Sequence, residues 1–239
     1  MTPSNERDGT APPAAAATPL DDLTPRARRT RAALVAAART VFEERGFLDT
    51  RISDITRAAG VAHGSFYTYF PTKQAVFREV AIELTAEISA AGRSVDDHGD
   101  GAATDVVARI ERVNRRYLQV YLENAEIYGV LEQVASFDDE MLALRRELRR
   151  DFLERNRRAI ARWQAQGIAD PDLDPLHTAA VLGAMVERHC YIWFVTGERF
   201  DHETSLRTLN AVWVRSLGLD RRERADATTG AGLPDTGHG

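Results

Sequence analysis

Two short helical patterns joined by a Gly-Val turn constrain this chain more than any other feature. In the stretch GFLDTRISDITRAAGVAHGSFYTYFPTK, Ile52, Ile55 and Ala59 recur at helical spacing. Gly60 follows at the position where a left-handed residue ends a helix. The second segment, residues 62 to 69, is about two turns long, which is too short to be stable alone. We therefore expect a helix-turn-helix whose second helix depends on its neighbours.

The second segment carries hydrogen-bonding side chains over most of its surface. Val61 and Phe66 can pack it against the first helix, and the other positions then lack apolar partners. Such a helix presents its first residues to base edges in the major groove, while hydroxyl and ammonium groups suit phosphate oxygens. The only lysine of the chain begins the next predicted helix. We predict that the DNA-binding residues are Thr50, Arg51, His63, Gly64, Ser65, Tyr67, Thr68, Tyr69 and Lys73.

The distribution of charge favours a nucleic acid as the partner of this part of the chain. The net charge is −5, but residues 26 to 80 hold ten basic side chains and five carboxylates, so they carry +5 and the remainder −10. This asymmetry would turn the basic segment toward phosphate. The four arginines between Arg26 and Arg31 are candidates for flanking phosphate or minor-groove contacts, although a basic run is also the usual composition of a solvated face.

Many positions of the segment agree with one known pattern at fixed spacing. They are Thr50, Ile52, Ile55, Ala59-Gly60-Val61, Gly64-Ser65-Phe66-Tyr67, Tyr69-Phe70 and Pro71-Thr72-Lys73. In these residues the chain resembles the TetR-type transcriptional regulators, over roughly residues 24 to 80. It departs from the family at Arg51 and Ala62, near two helix starts where the family often has a capping hydroxyl. The loss of a cap costs about 1 kcal/mol, and we expect Thr50 to replace the first one.

The resemblance implies an all-α fold with two parts. The first is an N-terminal three-helix helix-turn-helix DNA-binding domain, and the second is a C-terminal helical ligand-binding and dimerisation domain. In the family the last two helices form a four-helix bundle across a twofold axis, and residues 175–196 and 202–217 resemble that pair. An isologous dimer also suits two symmetric DNA half-sites. The residues expected at the dimer interface are Leu206, Leu209, Val212, Trp213 and Leu217.

Helical periodicity continues to the end of the chain without an alternating strand pattern. Thr24-Pro25 and Thr72 are predicted starts of the first and fourth helices. Further helices are predicted over 103–123, 125–135, 138–166, 175–196 and 202–217. The predicted domains are a disordered tail over 1–23, the DNA-binding domain over 24–72, the effector-binding and dimerisation domain over 73–220 with a connecting helix at 73–91, and a second tail over 221–239.

Aromatic side chains are frequent in the predicted second domain. With a few polar groups among them they have the usual composition of a small-molecule site, although aromatics at helical spacing are equally the content of a plain core. Arg155 can bind an anionic head group, or it can lie over a core edge with its charge in water. The ligand-binding candidates are Tyr117, Tyr121, Tyr128, Phe152, Arg155, Trp163, Met185, His189 and Trp193.

The sequence lacks the patterns that catalysis or metal binding would need. Glu187 and His189 are two residues apart on a predicted helix, so they point about 200° from each other. No HExxH motif, Gly-rich phosphate loop or GxSxG elbow occurs. The single cysteine, Cys190, excludes an intrachain disulfide and a multi-cysteine zinc site, and its apolar surroundings favour a buried thiol over a redox sensor. We predict no catalytic residues, no cofactor and no metal.

No stretch approaches about 18 consecutive apolar residues, and the first ten residues, MTPSNERDGT, lack the apolar core of a signal peptide. We therefore expect a cytoplasmic protein without membrane contact. The leading hypothesis is a homodimeric, ligand-responsive repressor that binds a palindromic operator and is released by a small apolar or amphipathic effector. Tilting of the fourth helix would carry the coupling, which is usually about 1 to 3 kcal/mol. The alternative is an effector-independent architectural DNA-binding protein whose C-terminal domain only dimerises.

Overall fold

A computed structural model describes residues 23–93 and 103–220. Within these two ranges all regular structure is helical, which confirms the all-α prediction. The helices are α1 Pro25–Asp49, α2 Ile52–Ala58, α3 His63–Tyr69, α4 Lys73–Arg93, α5 Ala103–Glu123, α6 Ala125–Ala135, α7 Asp139–Ala165, α8 Pro175–Cys190 and α9 His202–Ser216. The predicted tails, apart from Leu23, and most of the Gly-rich break after α4 lie outside the described residues.

The described residues form two compact units, which divide between Val80 and Ala81. The first unit holds α1, α2, α3 and the start of α4, and the second holds the rest of α4 and α5 to α9. The domain boundary predicted from the sequence lies at the start of α4, eight residues earlier. A pattern of helical spacing cannot show that one continuous helix contributes its first turns to one core and its remainder to another.

Local signals in the sequence set the helix ends of the first unit. The hydroxyl of Thr24 accepts a hydrogen bond from the Ala27 amide at 3.3 Å, and Pro25 follows at the first helical position. The Thr72 hydroxyl accepts from the Ala75 amide at 3.0 Å at the start of α4. Near the end of α1, Gly46 takes a φ of 72°, a conformation that a side chain would strain. The backbone then turns and directs Phe47 into the core.

Aromatic packing holds the first unit together. The Phe42 ring lies 5.1 Å from that of Phe77 on α4 and 5.6 Å from that of Phe47, measured between centroids. Phe66 is fully buried and is the residue through which α3 attaches to the unit. Full burial of one such side chain stabilises the folded state by about 1.5 to 3 kcal/mol. A seven-residue helix that is unstable alone is thereby kept folded with its remaining residues near the surface.

Aspartate caps begin three helices of the second unit. The carboxylate of Asp138 accepts from the Glu140 and Met141 amides, and that of Asp174 accepts from the His177 amide at 2.8 Å. Asp201 caps α9 in the same way, a role that the sequence analysis did not assign. The predicted bounds of α5 and α6 are confirmed, and those of α7 and α9 agree to within one residue at each end.

The helix predicted over 175–196 ends differently from the expectation. After Cys190 it continues as a single π-helical turn, Tyr191–Val195, in which the Thr196 amide donates to the Tyr191 carbonyl at 3.1 Å. The extra residue per turn is not visible in apolar spacing alone. Gly129 on α6 approaches this turn so closely that an added Cβ would lie 3.0 Å from Val195.

The structure corrects the residues predicted for the dimer interface. Leu206, Leu209, Trp213 and Leu217 are buried in the second unit's own core, where α9 packs against α5. An interface side chain has to be accessible in the isolated chain, so these four cannot form an exposed seam. Val212 is only partly buried. An apolar stripe at helical spacing shows that a face is covered but not which chain covers it.

Candidate nucleic-acid interface and effector cavity

The exposed face of α3 consists of polar side chains and one glycine. His63, Gly64, Tyr67 and Thr68 are exposed, and Tyr67 retains 47% of its accessible surface. The His63 and Tyr67 rings are edge to face at 5.8 Å between centroids. Because the buried side of α3 is fixed by a phenylalanine, this face is held outward and presents an imidazole and two kinds of hydroxyl. These groups can donate to or accept from base edges.

The first residues of α2 and α3 lack side-chain caps of the usual kind. Ala62 has no hydroxyl to offer at the start of α3. At the start of α2 the cap is reversed, because the Asp54 carboxylate accepts from the Arg51 amide at 3.3 Å. The same carboxylate pairs with Arg45 at 3.3 Å and with Arg57 at 3.4 Å. The Arg51 side chain is exposed beside this cluster.

Gly64 has open space where a side chain would begin. No atom lies within 4 Å of an ideal Cβ built at this position, and its φ is not in the left-handed region. A glycine inside a helix costs roughly 0.5 to 1 kcal/mol relative to alanine. Neither the backbone conformation nor packing within the described residues therefore requires glycine here, and its small size is useful only to something that approaches α3 from outside.

Thr50 occupies a structural position, contrary to both roles predicted for it. Its side chain is 2% exposed, and its hydroxyl donates to the Gly46 carbonyl at 2.7 Å. It therefore closes the turn after α1, and the hydroxyl can neither cap α2 nor reach DNA. The family signature marks the position without telling whether the threonine faces inward or outward.

The ammonium group of Lys73 is tied to the end of α1 and to the residue that follows it. It donates to the carbonyls of Phe47 at 2.6 Å and Thr50 at 2.8 Å, and it lies 4.4 Å from the centroid of the Phe47 ring. Partial burial lowers the pKa of this group, while the charge of Asp49 opposes the shift. The phosphate contact of Lys73 stays a prediction, and the structure adds a role as a clamp between α4 and the end of α1.

The remaining predicted DNA contacts differ in accessibility. Ser65 and Tyr69 are half-buried. Of the arginines at the start of α1, those at positions 26 and 29 are exposed, whereas Arg31 pairs with Glu79 at 3.0 Å and lies over the Phe70 ring. The basic run is therefore partly structural and partly available at the surface.

The second unit contains a cavity of about 90 Å³ between α4, α5, α6, α7 and α8. Four of the predicted ligand residues line it: Tyr117, Tyr128, Phe152 and Arg155. Burial raises the pKa of Tyr117 and of Tyr128 above the ordinary value, so both phenols stay protonated at neutral pH. The cavity therefore offers aromatic walls with neutral hydroxyl groups.

Charged side chains form a connected group along the same cavity. Arg145 pairs with Glu132 and, at 3.3 Å, with Glu187, whose carboxylate is 3.9 Å from Arg149. These residues were not predicted. A signal was present, since Ala180, Gly183 and Ala184 recur at helical spacing on α8 and leave room for them.

The other predicted ligand residues lie elsewhere. Trp163 lines a second, smaller cavity that is also lined by Phe152 and Arg155. Tyr121 is buried in the core against Tyr128, and Met185 packs on the core without lining either cavity. His189 and Trp193 pack near the π-turn, where the His189 ring lies 4.9 Å from that of Phe200. For these last four a role in ligand binding stays a prediction, because helical spacing of aromatics does not tell a cavity wall from a filled core.

Comparisons with known proteins decide the family. Residues 34–80 match the family model described as bacterial regulatory proteins, tetR family. The chain is 24% identical over 210 residues to the HTH-type transcriptional regulator EthR of Mycolicibacterium smegmatis, a match covering 81% of this chain and 92% of that protein. Residues 34–80 carry the DNA-binding domain of the TetR family. The chain is a DNA-binding transcriptional regulator with a helix-turn-helix formed by α2 and α3.

Two further proteins are similar to half or more of this chain. The HTH-type transcriptional repressor DhaR of Mycobacterium sp. strain GP1 is 30% identical over 120 residues, covering 50% of this chain and 56% of that protein. The transcriptional regulator FadR from Bacillus subtilis, solved in complex with stearoyl-CoA, has a TM-score of 0.64 and 15% identity over 77% of this chain and 98% of that one. The second similarity is one of fold.

Three residues of the kinds used in catalysis have other roles in this chain. Cys190 is buried, and burial raises the pKa of its thiol to about 12. Glu187 belongs to the ion pairs at the cavity, and Asp201 is a helix cap. Among residues 23–93 and 103–220 no three His, Cys, Asp or Glu side chains are grouped as metal ligands. No helix in these ranges has the length and hydropathy of a membrane span.

Proposed function

We propose that the chain is a repressor that binds a palindromic operator as a homodimer and is released by a small apolar or amphipathic effector. The observation that carries the proposal is the exposed polar face of α3, which surrounds a fully buried Phe66. A helix anchored on one side and polar on the other is suited to the major groove. In the proposed complex His63 and Tyr67 contact base edges, and Thr68 and Tyr69 contact phosphate or sugar.

The effector half of the proposal rests on the larger cavity. α4 contributes Leu84, Thr85 and Ile88 to its wall, and the same helix belongs by its first turns to the DNA-binding unit. A ligand that binds best when α4 is displaced would lower DNA affinity through a coupling free energy of about 1 to 3 kcal/mol. FadR from Bacillus subtilis is a protein of similar fold with stearoyl-CoA bound, which supports an amphipathic effector here.

The dimer half of the proposal uses exposed apolar residues of the last two helices. Leu176 and Val181 on α8 are exposed, and Val212 on α9 is partly buried. A second copy that covers these side chains would gain about 1.5 to 3 kcal/mol for each one fully buried. Twofold symmetry would then present two copies of α3 to two half-sites of an operator.

Substitutions on α3 test the DNA contacts. The operator is first selected from random duplexes with the purified chain. His63→Ala and Tyr67→Ala are each expected to weaken operator binding by about 1 to 3 kcal/mol while leaving binding to unrelated DNA nearly unchanged. Phe137→Ala, which removes an exposed aromatic from the second unit, is the matched control and should bind as the wild type does. Wild-type affinity of both α3 variants for the operator would refute the assignment.

Compound screening separates a ligand-responsive repressor from an architectural protein. Acyl-CoA, sterol, aromatic and antibiotic-like compounds are added to the chain, and its melting temperature is measured. A ligand that binds the folded state raises this temperature. The proposal expects at least one stabilising compound that also weakens operator binding. If every stabilising compound leaves operator affinity unchanged, the second domain only dimerises.

A further inference from the structure

The smaller cavity of the second unit has a wall rich in hydrogen-bond donors. It has a volume of about 40 Å³ and is bounded by residues of α5, α7 and α9. Two arginines, Arg109 and Arg155, belong to the wall, together with Asn156, Trp163 and Trp213. Among the described residues that line it there is no carboxylate, in contrast to the larger cavity with its two glutamates. The smaller cavity therefore has the donor content of a site for a hydrogen-bond acceptor.

The indole of Trp213 provides an independent indication of a ligand. The side chain is 5% exposed, and its Nε1–H is buried without a hydrogen-bond acceptor among the described residues. A buried donor left without a partner costs about 1 to 3 kcal/mol, and such groups are rare in folded proteins. Since no residue in the described ranges accepts this hydrogen bond, the cavity that Trp213 lines is where an acceptor can be supplied.

Two neighbouring groups reinforce the same chemistry. The Nδ2 atom of Asn156 is also buried without an acceptor among the described residues, and Asn156 lines the same cavity. Arg109 is 7% exposed, and its guanidinium lies 5.5 Å from the centroid of the Trp163 ring. A buried guanidinium favours a negatively charged acceptor, because charge-assisted hydrogen bonds are about twice as strong as neutral ones.

The two cavities have side chains in common. Phe152 and Arg155 line both of them, so one ligand that displaces the Phe152 ring can occupy both spaces. The ring lies against Gly183, where an added Cβ would be 3.0 Å from the phenylalanine Cε1. The larger cavity supplies aromatic and aliphatic walls, and the smaller one supplies buried N–H groups.

We propose that the smaller cavity binds the carboxylate end of a small amphipathic effector whose apolar part occupies the larger cavity. Trp213 Nε1, Asn156 Nδ2 and the Arg109 guanidinium donate to the carboxylate oxygens. This assignment rests on the proposed effector-dependent function and specifies the chemical class of the effector. It also gives the buried indole N–H of α9 a partner that residues 23–93 and 103–220 do not provide.

The test uses three probes of equal chain length with different ends: octanoate, octanol and octylammonium. Each is titrated into the full chain by calorimetry, and tryptophan emission is followed because Trp163 and Trp213 both line the cavity. Octanoate is expected to bind at least about tenfold more tightly than either analogue, since hydrogen bonds to a charged group are about twice as strong as those to a neutral one. Equal binding of octanoate and octanol, or no binding of octanoate, would overturn the proposal.

Two tryptophan variants locate the carboxylate. Trp213→Phe removes the N–H donor together with part of the ring, so octanoate affinity should fall about tenfold more than octanol affinity does. The melting temperature without probe should fall modestly, because the smaller ring leaves space in the core, and the comparison with octanol separates this packing loss from the loss of the donor. Trp193→Phe, whose ring lines neither cavity, is the matched control and should bind octanoate as the wild type does. Unchanged octanoate affinity in Trp213→Phe would refute the assignment.

Operator binding is measured on the same preparations. If the operator is bound and octanoate is not preferred over octanol, the carboxylate site is refuted while the DNA-binding function stands. If no operator is bound, the proposed function fails whatever the probes do. A high-resolution structure with octanoate that shows only water between Trp213 and Asn156 would also refute the site.

Discussion

At the scale of single residues, substitution of Gly64 can distinguish an effect on folding stability from an effect on DNA binding. Its surroundings leave room for a methyl group, and its backbone is ordinary helix. Gly64→Ala should therefore raise the free energy of unfolding by roughly 0.5 to 1 kcal/mol. The added methyl lies on the exposed face of α3, so operator affinity should fall. Urea denaturation and operator titration of the same variant measure the two effects, which are expected to have opposite signs.

Gly60 is the matched control for this change. It has the same open space, but its φ is 66°, which a side chain strains. Gly60→Ala should destabilise the fold by about 1 to 2 kcal/mol. If Gly64→Ala destabilises the chain to the same extent, the glycine is structural and its link to DNA is refuted.

Lys73 illustrates how tertiary contacts change a prediction made from sequence. Its ammonium donates to the carbonyls of Phe47, near the end of α1, and Thr50, just after it. Lys73→Met keeps much of the stem and removes these donors, so the free energy of unfolding should fall by about 1 to 3 kcal/mol. Arg29→Met removes a charge at an exposed position of α1 and should change stability by less than about 0.5 kcal/mol. Equal stability of the two variants would show that the clamp contributes nothing.

The same pair of variants decides whether Lys73 also contacts phosphate. Loss of one phosphate contact lowers the slope of log affinity against log salt by about 1. A clamp alone would weaken DNA binding only through stability and leave the slope unchanged. Both outcomes are readable in operator titrations at several salt concentrations, carried out well below the melting temperature of the variant.

At the scale of helices, the sequence predicts what is decided locally. Caps at Thr24 and Thr72, and the end of α2 at Gly60, depend on residues within a few positions of each other, and all are present in the structure. What fails is the choice of packing partner. The stripe on α9 was expected to meet a second copy but packs on α5 of the same chain. Apolar periodicity shows which face of a helix is buried, but the element that packs against that face is known only from the structure.

The candidate site shows the same division. The exposed positions of α3 followed from its pattern around Phe66, because a two-turn helix has only one side to bury. The inward direction of Thr50 and the contacts of Lys73 depend on the loop between α1 and α2 and were not predictable. In the second unit, Tyr117 was placed at a cavity, but Trp193 packs outside it.

Three ionisable side chains are buried where α5, α6 and α8 meet, and we expect them to make the stability of the fold decrease at alkaline pH. Burial raises the pKa of Cys190 from 9.0 to about 12 and raises the pKa values of Tyr117 and Tyr128 above 10.0. In the unfolded chain these groups ionise at their ordinary pKa, so above about pH 9 the unfolded state binds fewer protons than the folded state. Stability should then decrease as pH rises, by up to about 1.4 kcal/mol per pH unit for each group.

Urea denaturation from pH 7 to pH 10.5 measures this slope. Cys190→Ala removes the thiol contribution, so its stability should fall less steeply between pH 9 and pH 10 than that of the wild type. The buried thiol should also react slowly with a disulfide reagent in the native state and rapidly in urea. A native reaction as fast as that of the unfolded chain would show that Cys190 is accessible.

At the scale of the whole molecule, the proposed operator complex requires two copies of a short recognition helix. One α3 offers few base contacts, and its basic segment is part of a chain with a net charge of −5. Affinity for a specific site therefore has to come from pairing two half-sites. A change that removes the dimer should weaken operator binding far more than it weakens non-specific binding, which depends mainly on phosphate contacts.

Val181 is the residue of choice for this test, because its side chain is 68% exposed on α8 and an unfolded variant is not expected. Val181→Asp would place a carboxylate at the proposed interface, where two copies would repel each other. Sedimentation should show a monomer, and operator affinity should fall by at least about tenfold, since one half-site contact is lost. Leu122→Asp introduces the same charge at a residue that is 50% exposed on α5 and should remain a dimer with wild-type affinity. A dimeric Val181→Asp variant with unchanged operator binding would place the interface away from this part of α8.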